Sequence, residues 1–176
     1  MRRITEKGAI ALLRKYSTDG DSFDKVLKHV ETVRKVALRI ADEIPGVNIQ
    51  FISIGSLLHD IGRFDCWKKD GIKHGIRGGE ILRKEGLPEY ALVAERHLGA
   101  GISKEDIKEQ GLNLPLKDYM PVTKEEKIIT HADNLVEQDR EISLHEAVER
   151  YDKELGRKAA DKIRNLAKEV EGMKFR

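Results

Sequence analysis

A chain of 176 residues can bury one ordinary core without needing disulfides or oligomerisation. Its 36% charged and 39% hydrophobic residues exclude a disordered chain, and no run approaches the roughly 18 apolar residues that a membrane-spanning helix needs. Thirty-three basic residues against 31 acidic ones leave a formal charge of +2, which gives no strong nucleic-acid signal, so any affinity for phosphate has to come from local arrangement.

The N-terminal segment Met1 to Lys7 leads into no uninterrupted apolar stretch with a cleavage site, which predicts a cytoplasmic protein without a signal peptide. A first helix is expected over roughly residues 4 to 16, broken by the turn chemistry of Thr18-Asp19-Gly20-Asp21. A second, from about Phe23 to Ala41, carries Phe23, Val26, Val30, Val33, Ala37 and Ile40 on one face and ends before Pro45-Gly46. Ile49 to Leu58 is apolar nearly all round, as a helix at the centre of a bundle would be. Shorter helices follow at about 74 to 85 and 88 to 98, punctuated by Gly86, Gly99 and Gly101, and Ser103 with Asp106 starts another.

Thr123-Lys124-Glu125-Glu126 reads as a capping box that opens a helix to about Val136 or beyond. Ser143 with Glu146 opens a long amphipathic stretch carrying Ala147, Tyr151, Leu155, Ala159, Ile163, Leu166 and Val170, which Gly156 divides. That stretch reads as a wall of the bundle or as the seam of a homodimer. No run alternates apolar and polar residues as a strand would, so the fold class is all-α. With no linker or internal repeat, residues 1–176 form a single domain, with a metal-site core over about 23–140 and the C-terminal helix over about 143–171.

The chemistry lies in histidines and aspartates on faces that composition would otherwise assign to core. His29 sits three residues after Val26 and four before Val33; His97 relates in the same way to Val93, Ala94 and Tyr90, and Asp133 to Ile129 and Val136. A buried imidazole or carboxylate is costly unless paired, and a shared metal cation satisfies several at once. In Leu57-Leu58-His59-Asp60-Ile61-Gly62-Arg63 an adjacent His and Asp end an apolar helix, and Gly62 is expected to let the chain turn away. Residues next to each other on a helix project about 100° apart, so His59 can face one metal while Asp60 spans two.

These residues resemble the HD superfamily of metal-dependent phosphohydrolases, in the His-Asp-Ile-Gly form of its motif, over roughly His29 to Asp133. The resemblance implies a helical bundle of the HD-domain type and a basic ligand set of His29, His59, Asp60 and Asp133. His74 and His97 stand where members with two metals place two further histidines. Arg63 follows the motif where the resemblance implies a basic residue reaching substrate phosphate, and Arg77 and Arg140 are further candidate phosphate contacts. The adjacent histidine and Gly-Tyr-Pro tripeptide of the superfamily's cyclic-dinucleotide phosphodiesterases are missing.

The implied activity is hydrolysis of a phosphoester or phosphoanhydride in a nucleotide or other small phosphorylated metabolite. One or two divalent transition metals, Mn, Fe, Co, Ni or Zn, suit mixed imidazole and carboxylate ligation. Asp60 and Arg63 are the candidate catalytic residues, and Arg63, Arg77 and Arg140 the candidate substrate contacts. Alternative readings are an HD-type di-iron oxygenase and a non-catalytic nucleotide-sensing or RNA-associated module. His131 and His145 read as packing and exposed residues, and Phe64, Trp67 and Tyr90 as aromatics near the site.

Overall fold

The computed structural model describes residues 4–66 and 71–174. Helix α1 (Glu6–Tyr16) starts where the Thr5 hydroxyl accepts the Gly8 amide. Helix α2 (Gly20–Asp42) begins earlier than its apolar periodicity suggests, because Asp19 caps it. The Asp19 carboxylate accepts the Ser22 amide at 2.7 Å while the Asp19 amide donates to the Ser22 hydroxyl at 3.3 Å. The segment read as a break thus contains the cap of the next helix.

Helix α3 (Ile49–Leu58) is buried from Ile52 to Leu58, as its all-round apolarity predicts. A single turn, α4 (Arg63–Cys66), and a 3-10 turn (Gly71–Lys73) precede α5 (His74–Lys84) and α6 (Pro88–Arg96). After α7 (Lys104–Gln110), helix α8 (Lys124–Asn134) opens at Thr123, whose hydroxyl accepts the Glu126 amide. The Glu126 carboxylate, however, reaches the Val122 amide at 2.6 Å and the Arg96 guanidinium at 2.9 and 3.0 Å rather than closing the expected box.

Where α8 was expected to run on to about Val136, a two-residue hairpin forms instead, β1 (Val136–Glu137) pairing antiparallel with β2 (Arg140–Glu141). The Leu135 carbonyl accepts the Ile142 amide at 2.8 Å, which commits it to the hairpin rather than to another helical turn. The fold class is nevertheless all-α. Helices α9 (Leu144–Leu155) and α10 (Arg157–Glu171) are divided at Gly156, whose φ of 83° an L side chain adopts only with strain.

Helices α2, α3 and α8 pack on one another at the centre, with α1 on α3, the α5–α6 pair on α3, and the α9–α10 hairpin laid on α8 through α10. The apolar face of α10, with Ala160, Ile163, Leu166, Ala167 and Val170 buried, is thereby used as a wall of the bundle. Two buried clusters result. One joins α1, the first half of α2, α3, α5 and α6; the other joins the second half of α2, α8 and α10. No described helix is long and apolar enough to cross a membrane.

Asp106 ties α7 to α10. It is 3% exposed, it closes a capping box with Ser103, and Lys158 stands 3.1 Å away with Lys162 in contact on its other oxygen. Burial alone would raise its pKa, but Lys162, Ser103 and Lys158 hold the carboxyl far below its ordinary value of 3.8. A carboxyl whose folded pKa is depressed adds stability above its unfolded value, and that stability is lost as the pH falls below it. Asp106→Ala is expected to cost about 2–4 kcal/mol at neutral pH, and thermal unfolding below about pH 4 should show a smaller gap between variant and parent. An equal gap at pH 3 and pH 7 would show that Asp106 acts through packing alone.

Candidate metal centre

Five segments bring the sequence-derived candidates to one buried spot. His29 comes from the inner face of α2, His59 and Asp60 from the end of α3, His74 from the first residue of α5, His97 from the residue after α6, and Asp133 from the last turn of α8. His29 Nε2 lies 3.0 Å from Asp133 Oδ1 and 3.3 Å from Asp60 Oδ2. His59 Nε2 lies 3.4 and 3.6 Å from the same two oxygens. On the other side of the Asp60 carboxylate, Oδ1 is 3.2 Å from His74 Nε2 and 3.3 Å from His97 Nε2, and those two nitrogens are 3.0 Å apart. The atoms therefore fall into two groups that share one carboxylate.

The tautomers follow from the second nitrogen of each ring. Nδ1 of His29 lies 2.6 Å from the Gln138 carbonyl, that of His59 2.7 Å from Ser56 O, that of His97 2.8 Å from Ala94 O, and that of His74 contacts Gly71 O. A carbonyl only accepts, so each Nδ1 carries a proton, and a ring with no second proton turns its Nε2 lone pair inward. Lone pairs then face carboxylate oxygens, an arrangement that only added protons or a cation can satisfy. His59 Nε2 and both Asp60 oxygens are buried without a well-formed hydrogen bond. Donor atoms 3.0–3.6 Å apart are spaced as ligands about 2.1 Å from a shared ion would be. The residues present fit a divalent metal.

Local structure explains how the chain presents these groups. His59 and His97 each follow the last residue of a helix and donate Nδ1–H to the carbonyl three residues earlier, using acceptors that the helix end leaves free. The C-terminal ends of α3, α6 and α8 all meet here, and their partial negative charge favours a cation. His29 is held differently. The turn of the β-hairpin puts Gln138 at φ 58°, a conformation uncommon for a residue other than glycine, and its carbonyl accepts from His29.

The chain turns over residues 59–62 as expected, and Gly62 has a further role. A Cβ there would lie 1.9 Å from His74 O and 2.4 Å from Gly78 N, so its bare backbone lets α5 come against the end of α3. Gly75 does the same against α6, where a Cβ would meet Ala94 O at 2.7 Å. These close approaches bring His74 and His97 within reach of Asp60.

Around His29, Asp60 and Asp133 the electrostatics favour positive charge. Burial opposes a charged His29, yet Asp133 and Asp60 push its pKa up to about 10. Burial would raise Asp60, but Arg63, in contact with Oδ2, and the surrounding imidazoles hold it well below the usual carboxylate range. Asp133 is likewise held low against burial by His29 and His59. Burial lowers His97, with Asp60 acting against it.

A cavity of about 660 Å³ opens beside the cluster, with His29, Arg63 and Asp133 on its wall. That is within the range of small-molecule sites. Arg77 and Arg140 lie elsewhere, both exposed and paired with Glu80 and Glu137 respectively. His131 is buried away from the cluster and His145 is exposed beside Glu149. Phe64 is buried in the core, Tyr90 stacks on Phe51 with ring centroids 4.9 Å apart, and Trp67 lies outside the described residues. Sequence reasoning missed Asn134, Arg150 and Tyr151. Asn134 Nδ2 donates to Gly99 O at 2.9 Å, and its Oδ1 accepts the Tyr151 hydroxyl at 2.8 Å, which locks α9 to the loop after His97. Only Tyr151 carried a sequence signal, as one of the apolar-face positions of the C-terminal stretch.

The HD domain family matches residues 26–137, and the chain belongs to that family. It is 46% identical over 148 residues to a tRNA (cytidine(56)-2'-O)-methyltransferase of Picrophilus torridus, covering 84% of this chain and 42% of that protein. It is 38% identical over 164 residues to the protein of the same name in Thermoplasma volcanium, covering 93% of this chain and 46% of that one. An uncharacterized protein of Methanocaldococcus jannaschii is 42% identical over 139 residues, 76% of this chain and 79% of that protein. The chain thus spans less than half the length of the two named relatives. Among solved structures it is similar to the HD domain of the L. monocytogenes phosphodiesterase PgpH in complex with cyclic-di-AMP, with a TM-score of 0.52, 18% identity and coverage of 93% of this chain and 95% of that one. At that identity the likeness concerns the fold.

Proposed function

We propose that the protein hydrolyses a phosphoester or phosphoanhydride bond in a nucleotide or other small phosphorylated metabolite, using two divalent metals. The observation that carries this reading is the pair of ligand groups joined by Asp60. His29, His59 and Asp133 would hold one ion, His74 and His97 the other, and Asp60 would contribute an oxygen to each. Bound metals would polarise the phosphoryl oxygens and lower the pKa of bound water to about 7, supplying hydroxide at neutral pH.

The chain's own residues then have separable tasks. The backbone carbonyls of Ser56, Gly71, Ala94 and Gln138 fix the ring orientations. Arg63 neutralises Asp60 from the cavity side, where its planar fork can also meet a phosphoryl oxygen. The family membership and the name of the structural neighbour both support phosphate-ester chemistry. A panel of phosphomonoesters, phosphodiesters and nucleotides, assayed with Mn, Fe, Co, Ni and Zn in turn, should show turnover that depends on metal and is abolished by chelation. No turnover across the panel by metal-loaded protein would count against the reading.

A second reading rests on the two tRNA methyltransferase relatives. In it the domain works on, or beside, tRNA, with a phosphate of the RNA as its target. Retention of a tRNA transcript on the protein at 150 mM salt would favour it, and retention that vanishes at that salt would leave the small-metabolite reading.

A further inference from the structure

The family match ends at residue 137, but the cavity does not. Part of its wall is built from Arg150, Tyr151, Leu155, Lys158, Lys162 and Ile163 of the α9–α10 hairpin. Four Arg and Lys side chains line the cavity among the described residues, and they differ in how they are engaged. Arg63 is in contact with Asp60. Lys158 and Lys162 both hold Asp106, and Lys158 also holds Glu109 at 2.5 Å.

Arg150 is held more loosely. Glu137 stands 3.9 Å from its Nη1, the limit of an ion pair, and its Nη2 donates at 3.3 Å to the carbonyl of Asn134. Its guanidinium carbon lies 5.1 Å from the centre of the Tyr151 ring. The phenol of Tyr151, whose ordinary pKa is about 10, brings no negative charge at neutral pH. The side chain is 21% exposed and is anchored one residue from Asp133, so the guanidinium is fixed relative to the metal cluster with donors to spare.

We propose that Arg150 selects the substrate by binding a second anionic group, so that the preferred substrates are phosphate esters or anhydrides whose departing portion is itself negatively charged. The proposal rests on the phosphohydrolase reading, and it assigns selection to a hairpin outside the segment that matches the family. Arg150 would contact the substrate without touching the metals.

Binding of inorganic pyrophosphate and of inorganic phosphate to the Mn-loaded protein, measured by calorimetry, separates the two ends of the site. Arg150→Gln should weaken pyrophosphate binding roughly 10- to 100-fold, with phosphate affinity and Mn content kept within about twofold of the parent. Arg150→Lys, which keeps the charge and loses the fork, should fall between them. Equal losses for both anions, or no loss for pyrophosphate, would overturn the proposal. Failure of the hydrolase reading would appear separately, as absence of turnover by parent protein that still binds pyrophosphate.

Discussion

Asp60→Ala is expected to lower metal-dependent hydrolysis by roughly 10³-fold or more while leaving the helical content unchanged. Asp60 is fully buried and its two oxygens each face two imidazole nitrogens, so its removal takes a ligand atom from both groups at once. The fold should survive because Asp60 is absent from the apolar clusters that join the helices. Arg63 loses its partner but is 40% exposed and can turn to water. Circular dichroism and a metal-dependent assay check both halves. Activity within tenfold of the parent would show that the shared carboxylate has no part in the reaction.

Gly62→Ala should have the largest effect on stability of any single methyl added near the site. Its Cβ would be set against backbone atoms of α5, His74 O at 1.9 Å and Gly78 N at 2.4 Å, which cannot rotate away as a side chain would. Relief requires α5 to shift away from the end of α3, and His74 moves with it. The expected cost is about 3 kcal/mol or more in urea unfolding, together with loss of metal from the His74–His97 side. A variant as stable as the parent would mean that the two helices are free to separate at this point.

Most of the candidate metal cluster is legible in the sequence because its chemistry violates its surroundings. His29, His97 and Asp133 stand at helical spacing from Val26, Val93 and Ile129, and polar groups in such places need partners. What spacing alone cannot show is the partner supplied from afar. The carbonyl that orients His29 belongs to Gln138, and it reaches the ring only because α8 stops at Asn134 and a hairpin forms where the apolar period runs on to Val136.

The same limit applies to Gly62, whose neighbours in space are His74 and Gly78 on another helix. Arg77 shares a helix face with His74 and Arg140 lies two turns after Asp133, but in a chain this rich in arginine such spacing does not decide direction, and both point to glutamates on the surface. Arg150 is seventeen positions after Asp133 and carries no spacing signal; the hairpin brings it to the cavity.

The central claim, two metals joined by Asp60, is tested most directly by counting metal. Parent protein saturated with Mn and freed of loosely held ions should contain about two ions per chain by elemental analysis. His74→Ala and His97→Ala should each lower this to about one, since each removes one nitrogen of the group around Asp60 Oδ1 and leaves His29, His59 and Asp133 intact. About one ion in the parent, unchanged in both variants, would contradict it.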